Sequence, residues 1–380
     1  MKAIADATLS LKVCTIHCTI ELTTECTLAI LRPQGRRSSL LDDAPRPGLP
    51  GVKLLNTLLK LANARKVVRK LGAADASTKV LVIYDLYTQH NVEPLAIALN
   101  EIGAPLHLLQ VTGSAVHGVQ LSDITAAAMK EADLIVGMTR ANIAHTAARQ
   151  EATRAGARVI VLPESDGAGF FGASGWDADF DALRPEIDGL AEAFTNASVA
   201  RVTSALGTDV TLSIAGRRGR SLNGFANTID ISAGYGLESS VAPVEGTANG
   251  MIVVNGSIPG VAVIQDEPVR IEMRDGMAVS IEGGREADAF RTLLESFNDP
   301  LVYNLGELGV GMNPKCTLDG TMLSDESVYG SIQLALGTSA YIGGLTKAAA
   351  HYDTVLIDST LELDGKVVLR NGQVFPEGRA

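Results

Sequence analysis

The sequence predicts an α/β domain built on a parallel sheet, followed by a mainly antiparallel, β-rich domain that carries a metal site. Three observations support that reading. Between about Val52 and residue 200, short apolar runs alternate with segments of helical periodicity, the pattern of βαβ units. Past residue 200, apolar and polar residues alternate around Asp-Gly and Asn-Gly pairs, which mark hairpins. Ahead of both lies "RPQGRRSSLLDDAPRPGLPG" (32–51), whose Pro, Gly, Arg and Ser content marks a linker. The expected organisation is an extension and linker over 1–51, an α/β domain over 52–200 and a β-rich domain over 201–380. No function is placed in the extension, and its removal (residues 1–50) is expected to leave fold and activity intact.

The α/β half opens with "VKLLNTLLKLANARKVVRKLG" (52–72), which has helical apolar spacing. "KVLVIYD" (79–85) is a continuous apolar run, as a strand covered on both faces requires. A helix over 91–102 leads to the strand "PLHLLQV" (105–111), then come a helix over 122–131 and the strand "DLIVGM" (133–138). A helix over 141–155 and the strand "ARVIVLP" (157–163) complete the series. Neither a G-x-G-x-x-G nor a G-x-x-x-x-G-K-[ST] loop follows the first strand, so a nucleotide-binding function lacks its phosphate cradle. Asp85, at the end of that strand, is read as an N-cap or loop carboxylate. In the second half, "GTDVTLSIAGR" (207–217), "NGMIVVNGSI" (249–258), "VRIEMRDGMAVSIEGG" (269–284) and "STLELDGKVVLRNGQV" (359–374) read as strands and hairpins around one helix, "READAFRTLLESF" (285–297).

Composition narrows the function. Hydrophobic residues make up 46% and charged residues 20% of the 380, an ordinary globular balance. A net charge of −11 argues against nucleic acid or an anionic membrane as partner, because both select a basic surface. No run approaches the roughly 18–20 apolar residues that span a bilayer. Cys14, Cys18 and Cys26 crowd the N-terminus around His17, but their C-x3-C spacing has no matching second pair, and no zinc site is assigned. Cys316 stands alone. No disulfide framework and no signal peptide are read, so a reducing cytoplasm is the expected location.

The chemistry concentrates late in the chain. His351 is the one histidine after His145, and it stands two residues before Asp353 in a strand-like run. Residues i and i+2 of a strand share a face, so the pair can offer one metal an imidazole nitrogen and a carboxylate oxygen. Glu238 and Glu245 lie in "GLESSVAPVEGTANG" and Glu307 in "YNLGELGVGMNP", all among glycines and apolar residues. A carboxylate in such company is costly to bury unless it is paired or metal-bound. Together these residues point to a metal site in the β-rich half.

The blocks "GTDVTLSIAGR", "ESSVAPVEGTANGMIVVNGSI", "LGELGVGMNP", "IQLALG" and "HYD", in this order, resemble the aminopeptidase T family of metallopeptidases. That resemblance implies a dimeric enzyme holding paired metals, with Glu238 and Glu307 as carboxylate ligands and His351 and Asp353 as the C-terminal pair. It implies a histidine where this chain has Gln333, a weaker ligand than imidazole. The stretches "GGREADAFRTLLESFNDPLVYNLGELGVGMNP" and "IGGLTKAAAHYD" also resemble the 2,5-dihydroxypyridine dioxygenases. This second resemblance implies ring opening at one Fe(II) bound by two histidines and an aspartate, with Glu307 at the third ligand position.

The leading expectation is hydrolysis of an amide or peptide C–N bond by metal-activated water, with Zn, Co or Mn. In that reading Glu245 is the general base or a supporting carboxylate, and Tyr341 or Tyr352 donates to the developing oxyanion. The alternative is an Fe(II) ring-cleaving dioxygenase acting on a dihydroxypyridine-like ring. Either way, the expected partner is a small molecule or short peptide, and the expected assembly a homodimer.

Overall fold

The structure is a computed structural model. It describes residues 50–114, 116–167 and 169–379. The cysteine-rich N-terminal segment and the 32–51 linker, apart from its last two residues, lie outside the described residues. Leu49–Ala380 forms one compact unit.

A four-stranded parallel sheet comes first, made of β1 (Val80–Tyr84), β2 (Leu106–Gln110), β3 (Leu134–Met138) and β4 (Arg158–Val161) in the order β2-β1-β3-β4. Helices α1 (Pro50–Arg65), α2 (Val92–Ile102), α3 (Asp123–Lys130) and α4 (Ala147–Arg154) accompany it. Every residue of β3 is buried, as its unbroken apolar sequence requires. The predicted helix over 141–155 starts later than its periodicity suggested. The Thr146 hydroxyl accepts from Arg149 N and caps the helix there, so 139–146 is a loop at the carboxyl end of β3. Asp85 ties the sheet's carboxyl edge together. Its Oδ1 accepts from Tyr87 N at 2.9 Å and its Oδ2 from Arg140 N at 2.8 Å.

Helix α5 (Phe180–Asn196), to which the sequence reading assigned no element, follows. Pro185 and Gly189 weaken its local signal, but Asp179 caps its first turn and Ile187, Leu190 and Phe194 are buried.

The strands after it are β5 (Val199–Ser204), β6 (Asp209–Ser213), β7 (Arg220–Leu222), β8 (Glu238–Val241), β9 (Asn249–Val254), β10 (Ser257–Ile258) and β11 (Ala262–Val263). Next come β12 (Val269–Arg274), β13 (Met277–Glu282), helix α6 (Arg285–Ser296), β14 (Leu305–Gly311), the short helix α7 (Met322–Asp325) and β15 (Ile332–Gly337). The chain closes with β16 (His351–Tyr352), β17 (Val355–Leu356), β18 (Ser359–Leu363), β19 (Lys366–Arg370) and β20 (Gln373–Arg379).

These strands form two eight-stranded sheets. One runs β13-β12-β9-β6-β5-β18-β19-β20; the other runs β11-β10-β17-β15-β14-β8-β7, with β16 also on β15. The predicted hairpins "MRDGM" and "LDGK" are present, joining β12 to β13 and β18 to β19. The segment between β7 and β8 runs along the free side of β4, where Ser232 N donates to Val159 O and Val161 N to Ser232 O. An aromatic cluster of Phe170, Phe171, Trp176 and Tyr235 fills the angle between them. Ligands of parallel sheets bind outside the carboxyl ends of the strands, where the loops after β2 and β3 lie.

Candidate metal centre

Two strands bring the predicted ligands together. Glu307 sits on β14, where the pairing with β15 slips at a bulge between Leu305 and Glu307 that re-aims the strand. His351 stands opposite Gly337 of β15. Gly337 has φ +118°, and a Cβ there would lie 2.1 Å from Ala350 O, so only glycine lets the two segments close. Asp353 lies just past the end of β16, not on a continuous strand with His351 as the sequence reading had it, and still faces the same group. Among the described residues Glu307, His351 and Asp353 form one group whose ligand atoms all lie within 4.8 Å of one another, enough to hold one metal ion. His351 Nε2 is 3.1 Å from Glu307 Oε2 and 3.6 Å from Asp353 Oδ2. Its Nδ1–H donates to Thr338 O at 2.9 Å, which fixes the tautomer and aims Nε2 into the group.

The electrostatics favour a cation. Glu238, Glu307, Glu326 and Asp353 line one cleft, with Arg220 and His351 as its buried cationic partners. Burial, then the Glu307 charge, push the Glu238 carboxyl up to about 8. Burial, then Asp353 and Glu238, push Glu326 well above its usual range. Burial acts on Glu307 in the same direction, but the His351 hydrogen bond and Arg220 outweigh it and hold that carboxyl at about 2. Burial would lower His351; Asp353 and Glu307 overcome it and raise the imidazole to about 9. Glu326 Oε1 is buried without a hydrogen-bond partner. A group of carboxylates that keeps protons for want of counter-charge suits a divalent cation, and one imidazole with two carboxylates is a donor set such ions accept.

The parallel sheet supplies the roof. The loop after β2 brings in His117, and the loop after β3 brings in Asn142 and His145. The His145 ring stacks on His351 with centroids 4.7 Å apart and 26° between planes. His117 Nδ1 accepts from Asn142 N at 3.0 Å, so the hydrogen of its neutral ring is on Nε2. Burial, then the His351 charge, lower His117 to about 4 and His145 well below its usual value. Val161, Pro163, Leu222, Ile231, Met322 and Leu323 give the cleft apolar walls, and it measures about 650 Å³ with its mouth included.

Not every predicted site residue reaches this cleft. Glu238 lines it. Glu245, expected as the base, does not: it is ion-paired with Arg217 and accepts from Ser339 Oγ at 3.1 Å and Leu345 N at 2.6 Å. Its carboxylate pins the loop leading to His351. Tyr341 also stands outside, its ring tilted against His145 at 6.4 Å and its carbonyl held by Arg149. Tyr352 packs on Phe290 and Phe297. Gln333 does not line the cleft either; its amide donates to Glu326 O.

Four residues that sequence reasoning passed over do line the cleft: His117, His145, Arg220 and Glu326. The two histidines had a readable signal, since each follows a strand of the parallel sheet at its carboxyl end.

The fold and the ligand group describe an enzyme built to hold a divalent metal beneath two neutral imidazoles. The comparisons agree and name the family. Residues 67–376 match the family model NicX, 2,5-dihydroxypyridine 5,6-dioxygenase, and the chain belongs to that family. A 2,5-dihydroxypyridine 5,6-dioxygenase from Pseudomonas putida (KT2440) is 30% identical over 117 residues, 28% of this chain and 33% of that protein. The matched sequence thus spans about a third of that relative's length. The solved 2,5-dihydroxypyridine dioxygenase from Pseudomonas putida KT2440 superposes with a TM-score of 0.68 at 20% identity, covering 85% of this chain and 97% of that one. Wild-type AmpT from Thermus thermophilus gives 0.58 at 14% identity, covering 83% and 99%. At such identities the likeness to both structures is one of fold. No described helix is long and apolar enough to cross a membrane.

Proposed function

We propose that the protein is a mononuclear metal-dependent dioxygenase that opens the ring of a small hydroxylated N-heteroaromatic, with both atoms of O2 entering the product. The observation that carries this reading is the single ligand group Glu307–His351–Asp353, with Gln333 turned away towards the Glu326 backbone where a two-metal peptidase needs a further imidazole. Fe(II) held by Glu307, His351 and Asp353 would supply the redox chemistry that spin-paired ring substrates and O2 lack on their own.

The remaining work falls to the chain. The apolar walls take the faces of a flat ring and exclude water. His117 presents Nε2–H to an oxygen acceptor of the substrate, because its Nδ1 is already occupied. Burial, then the His351 charge, hold His145 as a neutral imidazole, which offers a hydrogen bond to a ring hydroxyl as the ring binds. A homodimer in a reducing cytoplasm belongs to the same proposal.

Hydrolysis of a C–N bond is the second reading. The observation that favours it is Glu307 itself, which makes the donor set richer in oxygen than the two-histidine, one-carboxylate set common in Fe(II) oxygenases. The test is a substrate panel under air and under argon. Oxygen-dependent loss of ring absorbance with 2,5-dihydroxypyridine supports the dioxygenase. Release of an N-terminal residue from a dipeptide, unaffected by argon, would replace it with the hydrolase.

A further inference from the structure

Arg220 is buried at the centre of the cleft floor, with 8% of its side chain exposed, and the reaction as drawn so far does not use it. It sits on β7 opposite Ser240 of β8, and Ser240 stands opposite Gly309 of β14. Glu307 is two residues from Gly309 on the same strand. Arg220 Nη1 therefore reaches both Ser240 Oγ and Glu307 Oε1, each at 3.2 Å. The other oxygen of the same carboxylate, Oε2, faces His351 Nε2. Glu307 is thus divided, one oxygen held by the guanidinium and one turned to the ligand group.

Charge follows the same division. A two-histidine, one-carboxylate centre brings one negative charge to its metal, whereas Glu307, His351 and Asp353 bring two. Asp230, on the far side of Arg220 at 3.8 Å, is already engaged by Arg218 at 2.6 and 2.8 Å. The Arg220 charge is therefore free to act on Glu307.

Resting on the metal-centre reading above, we propose that Arg220 is a positioning residue that makes Glu307 stand in for an imidazole. It holds Oε1, so that one oxygen is presented to the metal, and its cation cancels the charge by which glutamate exceeds histidine.

The test is a double-mutant cycle read by metal dissociation constants for Zn(II) and, anaerobically, Fe(II). Glu307→His alone leaves the Arg220 cation beside the metal without its carboxylate, and should weaken metal binding by about tenfold or more. Glu307→His with Arg220→Met removes both charges and should return the constant to within about threefold of wild type. Arg220→Lys, which keeps the cation, should leave the Glu307→His penalty in place. Arg220→Gln provides the neutral background if Arg220→Met does not fold by circular dichroism. An additive cycle, in which Glu307→His costs the same factor with and without the cation, overturns the Arg220 assignment alone. A wild-type chain that binds neither metal overturns the metal centre and this assignment together.

Discussion

The floor and the roof of the cleft solve opposite electrostatic problems. The floor, from β7, β8, β14, the end of α7 and the His351–Asp353 segment, gathers four carboxylates around one guanidinium and one imidazole, and leaves Glu326 Oε1 without a hydrogen-bond partner. The roof, from the loops after β2 and β3, offers two imidazoles that burial keeps neutral. A charged floor selects a metal, whereas a neutral roof can exchange one proton or one hydrogen bond with an organic ring without first shedding charge. In the proposed reaction the two halves of the chain divide the labour, one holding the ion and the other handling the substrate.

The sharpest way to break that division is at His351. His351→Ala should abolish metal binding while the parallel sheet stays folded, since His351 is the one imidazole in the ligand group. Metal analysis after gel filtration decides it; a full metal complement in the variant would remove His351 from the centre. His145→Phe should do the reverse, keeping the metal and lowering turnover by about tenfold, the scale of one lost hydrogen bond to the substrate. Loss of metal in His145→Phe would mean that the roof also belongs to the centre.

pH provides the next contrast. The metal-free imidazole of His351 is raised from 6.5 to about 9, so its contribution to stability is full below pH 6.5 and is lost as pH rises through about 9. Metal must displace that proton, so apparent affinity should climb by about tenfold per pH unit between roughly pH 7 and 9. Metal-free and metal-loaded protein should therefore respond to rising pH in opposite directions in thermal melts. Parallel responses would contradict the assignment.

Smaller effects test the residues that stand outside the cleft. Glu245→Gln should leave the metal in place and cost stability of about 1–3 kcal/mol, the scale of a lost charge-assisted hydrogen-bond set. Gln333→His should leave one metal per chain, because that side chain is turned to the Glu326 backbone. A rise in stoichiometry would revive the paired-metal reading.

Much of the floor was legible in the sequence. His351 and Asp353 stand two residues apart in a strand-like run and Glu307 is isolated among glycines, so spacing and composition were enough to single them out. Arg220 was not legible, because it stands in the basic run "GRRGR" (216–220) and only cross-strand register singles out the last arginine. Glu245 misled for a related reason. Its apolar setting resembles that of Glu238, and only tertiary pairing with Arg217 separates the two. His145 was hidden by the helix boundary. Periodicity extended α4 back over 141–146, whereas the Thr146 cap frees that stretch to carry His145 over His351.

The most direct test of the central claim is metal stoichiometry measured together with oxygen uptake. Protein purified without oxygen is loaded with Fe(II), freed of excess metal and mixed with 2,5-dihydroxypyridine in aerated buffer. The account predicts one iron per chain and one O2 consumed per ring opened. Two metals per chain, with peptide cleavage and no oxygen uptake, would contradict it.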